Sequence, residues 1–127
     1  MSVPAGSTTP LRWELWEVDL DPAVGREQQG TRPCLILSID AFNRSRLGTY
    51  LAAPLTTQPR PQFAWRPSIE VGDLADVRRG WTARTSFVET DQLLAVDVSR
   101  LRRRLAVLRA QGPRAAVLDS VRLLLGL

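Results

Sequence analysis

The sequence has no histidine, no lysine and a single cysteine in 127 residues. Without histidine, the usual general base of hydrolytic sites and the commonest metal ligand are both missing. One cysteine, Cys34, permits neither an internal disulfide nor a cysteine-based zinc site. It lies in the apolar run Cys34-Leu35-Ile36-Leu37, where a small buried hydrophobe is expected rather than a nucleophile. No apolar run approaches the roughly 18 residues of a membrane span. The N-terminus lacks the basic-then-apolar order of a secretory signal. A cytoplasmic protein is expected, with no metal, no cofactor and no membrane partner.

What is present is an ordinary globular core with an unusual basic complement. Hydrophobic residues make up 44% and charged residues 24%, enough for one domain without disulfide staples. All 17 basic residues are arginine, against 13 acids, and the net charge is +4. A GC-rich coding sequence would give the same bias without any functional cause. The bias still has a consequence, because guanidinium is a planar fork that pairs bidentately with phosphate. An anionic partner is implied, either nucleic acid or an acidic protein. From Val98 onward there are seven arginines and one acid, Asp119. A solvated basic surface and a polyanion groove are both open readings of that stretch.

Residues 1–10 are mostly Ser, Thr, Pro, Gly and Ala, a tail with nothing to bury. Leu11 to Leu20 alternates and shifts phase at Leu15-Trp16, as a bulged first strand would. Pro33 to Ile39 reads as a strand buried on both faces, and Thr49 to Leu55 as another, ending at Thr56-Thr57. Asp40 to Gly48 is a polar connection with room for one helical turn. Pro59, Pro61 and Pro67 mark an exposed loop in which Arg60 and Arg66 flank Phe63 and Trp65. Aromatics among arginines suit stacking on single-stranded bases, although an aromatic folded over the core edge is the plainer expectation. Short strands follow at Ser68–Val71, Ala83–Val88, Asp91–Val98 and Leu105–Leu108. Asp97 or Ser99 can cap a short turn near Leu101. Gly112-Pro113 opens a helix whose Val117, Val121, Leu124, Leu118 and Leu125 form a broad apolar stripe. The expected fold is mainly β, an antiparallel domain of five to seven strands over residues 11–127 with a C-terminal helix.

The most distinctive stretch is Gly25-Arg26-Glu27-Gln28-Gln29-Gly30-Thr31-Arg32-Pro33, a long polar connection between two strands. Its glycines permit unusual backbone angles, and Pro33 biases Arg32 toward extended backbone. A polar surface turn and a binding loop are equally consistent with it.

This stretch, preceded by Trp16-Glu17-Val18-Asp19-Leu20-Asp21-Pro22 and followed by Asn43 and Ala53-Pro54-Leu55-Thr56-Thr57-Gln58, closely resembles the MazF/PemK family of bacterial toxins. Asp91-Gln92 with Val96-Asp97, and the ending Leu124-Leu125-Gly126-Leu127, extend the resemblance along nearly the whole chain from Leu11. The resemblance implies an SH3-like small barrel or curled sheet of the CcdB/MazF kind. It also implies a homodimer and an acidic, MazE-like antitoxin partner. The activity implied is metal-independent, sequence-specific cleavage of single-stranded RNA by 2′-hydroxyl attack. The family's catalytic arginine falls on Arg32 and its threonine on Thr56. Glu27 either takes the 2′-hydroxyl proton or orients Arg32. Gln28, Asn43, Thr57, Gln58 and Gln92 fall at RNA-contact positions.

Two departures stand out. The family's Arg-Gly-Asp before the first strand is Arg12-Trp13-Glu14 here, which puts its tight turn in question. A basic residue often found after Asp-Gln is replaced by Leu93-Leu94. The competing interpretation is a non-catalytic binding protein on the same fold, a CcdB-type gyrase poison or an inactive RNA-binding relative. Gyrase poisons end in Trp-Gly-Ile, whereas this chain ends Leu-Leu-Gly-Leu with no Trp nearby.

Overall fold

The computed structural model describes residues 9–21, 30–59 and 65–127. In chain order the strands are β1 (Glu14–Asp19), β2 (Thr31–Ile36), β3 (Thr49–Thr56), β4 (Ser68–Ile69), β5 (Leu74–Ala75), β6 (Ser86–Val88), β7 (Leu94–Asp97) and β8 (Leu101–Leu108). One helical turn, α1 (Asp40–Asn43), links β2 to β3, and α2 (Gln111–Leu125) closes the chain. The sheet is antiparallel throughout, in the order β4-β6-β3-β2-β1-β8-β5, with β7 on β3 as well. β3 changes partner along its length: residues 49–52 pair with β7 and Leu55–Thr56 with β6. That switch makes the sheet a curled half-barrel rather than a flat layer.

Each face of the central strands buries its own core, which is why their sequences carry apolar residues in both phases. One face holds Leu15, Leu35, Ala53, Leu55, Val88, Leu105 and Leu108, covered by Val117 of α2. The other holds Trp16, Val18, Cys34, Ile36, Tyr50, Ala52 and Val96. The change of phase at Leu15-Trp16 reflects two-sided burial, with Leu15 in the first core and Trp16 in the second. A register shift does occur between Leu15 and Trp16, but only against β8, where Leu105 is the extra residue. The β1–β2 register is unbroken.

Several expectations change in detail. Pro10, placed by composition in the tail, is fully buried. The two-residue strand β5 was not anticipated, and Ala83–Thr85 lie outside β6. The last strand begins at Leu101 rather than Leu105. Asp97 does cap a short turn, accepting from the Ser99 N–H at 2.8 Å. The turn questioned at Arg12-Trp13-Glu14 also forms: the Glu14 N–H donates to the Leu11 carbonyl at 3.1 Å, and Trp13 takes φ 75°. A tryptophan thus occupies a left-handed conformation that suits glycine. Its ring is buried in the first core and flanked by the Arg12 and Arg114 guanidiniums, 4.9 and 5.2 Å from its centroid.

Leu35 is fully buried in the first core, whereas Leu123 on α2 is 65% exposed. Leu35→Ala is expected to lower unfolding free energy by about 2–5 kcal/mol. Leu123→Ala should change it by less than about 0.5 kcal/mol. Urea titration of the two variants checks the contrast, and equal midpoints would contradict this core assignment.

Candidate active site

Arg32 is the second residue of β2 and pairs with Val18 of β1. On its other side, β2 meets β3 in the register Cys34↔Pro54, Leu35↔Ala53, Ile36↔Ala52. Carried two residues further, that register sets Arg32 across from Thr56. Residues opposite one another in an antiparallel ladder project from the same face, with Cβ atoms about 4.5–5.5 Å apart. Thr56 in turn pairs with Phe87 of β6. Val18, Arg32, Thr56 and Phe87 therefore form one cross-strand row, in which Arg32 and Thr56 are both only half-buried.

The Thr56 hydroxyl has a defined polarity. Its Oγ1 accepts the Gln58 backbone N–H at 3.1 Å, a local turn that follows the strand end. That bond uses the oxygen as acceptor and does not engage the O–H proton. Thr57 and Gln58 are exposed immediately after it. A cation and an oriented hydroxyl donor on adjacent strands suit a phosphate group and the charge it gains in a displacement.

Beside that row lie Cys34 and Glu89, on the same face. Cys34 is fully buried, and burial pushes its thiol up to about 12, while Arg32 pulls it down and Glu89 pushes it up. The Glu89 backbone N–H donates to the Pro54 carbonyl at 2.9 Å, continuing the β3–β6 register. Its carboxylate, 3% exposed as a residue, meets the Arg66 Nη1 at 3.1 Å. Arg66 also donates from Nε and Nη2 to the two oxygens of Asp91, each at 2.8 Å. The Thr90 hydroxyl donates to the Trp65 carbonyl. Arg66 is thus committed to two carboxylates. Glu89 was missed because nothing in its sequence context separates a buried acid from an exposed one.

The other sequence candidates fare differently. Glu27 and Gln28 lie outside the described residues, as do Arg60 and Phe63. Asn43 is buried rather than exposed: its amide nitrogen donates to the Ser38 carbonyl at 3.0 Å and its oxygen accepts from the Ser38 hydroxyl. It braces the α1 turn from within. Gln92 sits in the short 3-10 turn after β6, with its amide 3.4 Å from Asp91.

Apart from Arg109, the late arginines are also paired. Arg102 meets Asp19 at 2.8 Å, Arg103 meets Glu17 at 3.2 Å and Arg104 meets Glu14 at 3.0 Å. Arg100 donates to the Asp19 and Asp21 carbonyls, and Arg114 to that of Leu108. Because β8 lies against acidic β1, the basic run in sequence is no polyanion groove in space.

This architecture is that of the MazF toxins. The chain superimposes on MazF from Deinococcus radiodurans with a TM-score of 0.71 at 24% identity, over 95% of this chain and 100% of that one. An endoribonuclease solved with its cognate antitoxin from a mycobacterial species gives 0.73 at 23% identity, over 93% and 96%. The sequence profile of PemK-like, MazF-like toxins of type II toxin–antitoxin systems matches residues 11–123, and the chain belongs to that family. Endoribonuclease EndoA of Bacillus subtilis (strain 168) is 34% identical over 91 residues, which cover 71% of this chain and 72% of EndoA. Endoribonuclease PemK of Escherichia coli is 64% identical over 33 residues, 26% of this chain and 25% of PemK. The match to endoribonuclease toxin ChpB of Escherichia coli (strain K12), 52% over 46 residues, likewise spans only 38% of that protein.

Two expectations follow from the buried chemistry. Cys34 should resist Ellman's reagent at pH 8 in the folded protein and react once urea unfolds it; rapid native-state reaction would contradict its burial. Arg66→Ala should lower unfolding free energy at pH 7 by about 3 kcal/mol, because it strips a counter-ion from Glu89 and Asp91. Arg66 holds the Asp91 carboxyl below its ordinary 3.8. The Asp91 part of the wild-type advantage is therefore complete above that value and shrinks as pH falls further. Urea midpoints from pH 7 to pH 2.5 measure it; a pH-independent gap would refute the pairing.

Proposed function

We propose that this chain is the toxin of a type II toxin–antitoxin pair and acts as a metal-independent, sequence-specific endoribonuclease on single-stranded RNA. The observation that carries this reading is the cross-strand register that faces Arg32 toward Thr56 on one half-exposed surface. Family membership and the likeness to EndoA support it independently.

In the proposed reaction the ribose 2′-oxygen attacks the adjacent phosphorus and the bond from phosphorus to the 5′-oxygen breaks. The products are a 2′,3′-cyclic phosphate and a free 5′-hydroxyl. The nucleophile belongs to the substrate, so neither a metal-bound water nor a histidine is required. The enzyme's share is to hold the phosphate in line and meet the charge that gathers on its oxygens. Arg32 supplies parallel N–H donors in a planar cationic fork. Thr56 adds an O–H donor fixed by backbone geometry. Glu27 either receives the 2′-hydroxyl proton or orients Arg32, and the 5′-oxygen takes its proton from solvent. Thr57, Gln58, Gln28 and Gln92 contact the RNA around the cut.

The partners proposed are a second copy of the chain and an acidic antitoxin, with the cytoplasm as the setting. Leu124, Leu125 and Leu127 are 40%, 60% and 86% exposed at the end of α2, an apolar surface that a homodimer would cover. An acidic, MazE-like segment is drawn to the arginine site by charge and would silence it by occupying it.

Incubating the purified protein with a long RNA in EDTA, then mapping new 5′ ends, tests the assignment. Cuts at one short recurring motif are expected. Arg32→Ala should reduce the single-turnover rate by about 100-fold or more, and Thr56→Val by about tenfold or more, with both proteins folded. Intact RNA with folded wild-type protein would favour the non-catalytic alternative.

A further inference from the structure

Once the arginines of β8 are paired with β1, unneutralised positive charge gathers elsewhere. Arg78, Arg79 and Arg84 have no ion-pair partner among the described residues. All three are exposed and bracket Trp81 in the segment between β5 and β6. A turn shapes the segment: the Trp81 N–H donates to the Arg78 carbonyl at 3.2 Å, and Gly80 takes φ +87°. The indole packs against the first core with part of its surface open, so it is held rather than free to swing. The Ser86 hydroxyl donates to the Arg84 carbonyl at 2.9 Å and fixes the segment's far end.

Trp81, Thr82, Arg84 and Ser86 line a groove of about 350 Å³ whose opposite wall is Pro33 and Thr57. That volume falls in the roughly 300–1,000 Å³ range of small-ligand sites. The wall residues are the ones that directly follow Arg32 and Thr56 in the chain. Successive strand residues point to opposite faces, so the groove begins just across the rim of the sheet from the candidate cleavage point. The groove lining offers hydroxyls, an aromatic side chain and a guanidinium to a strand that continues from Arg32 and Thr56. Held aromatics and backbone-tracking cations are what single-stranded nucleic acid binds.

We propose that this groove is a nucleobase subsite for the nucleotide flanking the scissile phosphate. Trp81 stacks on the base, Arg84 meets a neighbouring phosphate, and the Thr57, Thr82 and Ser86 hydroxyls read the base edge. The proposal rests on the ribonuclease reading and assigns part of its sequence preference to residues outside the central Gly25–Pro33 stretch.

The first test uses a single-stranded oligodeoxynucleotide of randomised sequence carrying 5-iodouracil, which lacks the 2′-hydroxyl and cannot be cut. Irradiation of the complex with the full chain, followed by peptide mass spectrometry, should place an adduct on Trp81; adducts found only elsewhere overturn the subsite. The second uses Arg84→Ala, an exposed position whose change leaves the core intact. It should lower the slope of log affinity against log salt for the same oligonucleotide by about 0.7. Trp81→Leu should weaken binding roughly tenfold and relax the cut motif at one flanking position. An unchanged motif and affinity in both variants overturns the subsite while leaving Arg32 and Thr56 in place. A wild type that crosslinks through Trp81 yet leaves RNA intact supports the subsite and sinks the nuclease reading instead.

Discussion

The backbone ladder between β2 and β3 is the constraint on which the candidate site depends. Its register is pinned by burial on both faces: Leu35 and Ala53 go to one core, Cys34, Ile36 and Ala52 to the other. Slipping β2 by a single residue would exchange the two sets and drive Arg32 toward the wrong face. The hydrophobic effect thus positions a guanidinium and a hydroxyl that contribute little to stability themselves. Rigid strands, rather than a loop, fix their relative placement, which suits a site that must meet charge without rearranging.

Electrostatics in this chain is decided by pairing, not by sequence density. The densest run of arginine is spent on the acids of β1; the more exposed pairs there, Arg102–Asp19 and Arg103–Glu17, are worth at most about 1 kcal/mol each. Arg66, one of the more buried arginines, is held by Glu89 and Asp91. The charge left for a polyanion is therefore sparse and local. Among the described residues, Arg78, Arg79 and Arg84 around Trp81 form one such patch. A net charge of +4 says that an anion is welcome, and only the pairing says where.

Much of this was legible in the sequence where long, two-sided apolar runs left one solution. The cores of β2 and β3 could be read from Cys34-Leu35-Ile36 and Ala52-Ala53-Pro54-Leu55, and α2 from its capped apolar stripe. The placement of Arg32 and Thr56 at strand margins came from the motif. The two-residue strand β5 and the late start of β6 were not readable, because such pairings are dictated by neighbours distant in the chain. Asn43 shows the same limit at a single residue: an asparagine after a polar turn reads as surface, yet Ser38 makes it an internal brace. Glu89 and the paired β8 arginines were hidden for the same reason, since their partners lie 23 to 90 positions away.

Trp13 carries a consequence for how this turn tolerates change. A left-handed non-glycine residue is disfavoured by roughly 1 kcal/mol or more. Here the loss is offset by ring burial and by stacking with Arg12 and Arg114. Glycine would relax the backbone but forfeit the side chain; any other residue keeps the strain without the compensation. Positions 13 and 114 are therefore bound into one unit, so that drift at the turn is viable only alongside a matching change at the start of the terminal helix.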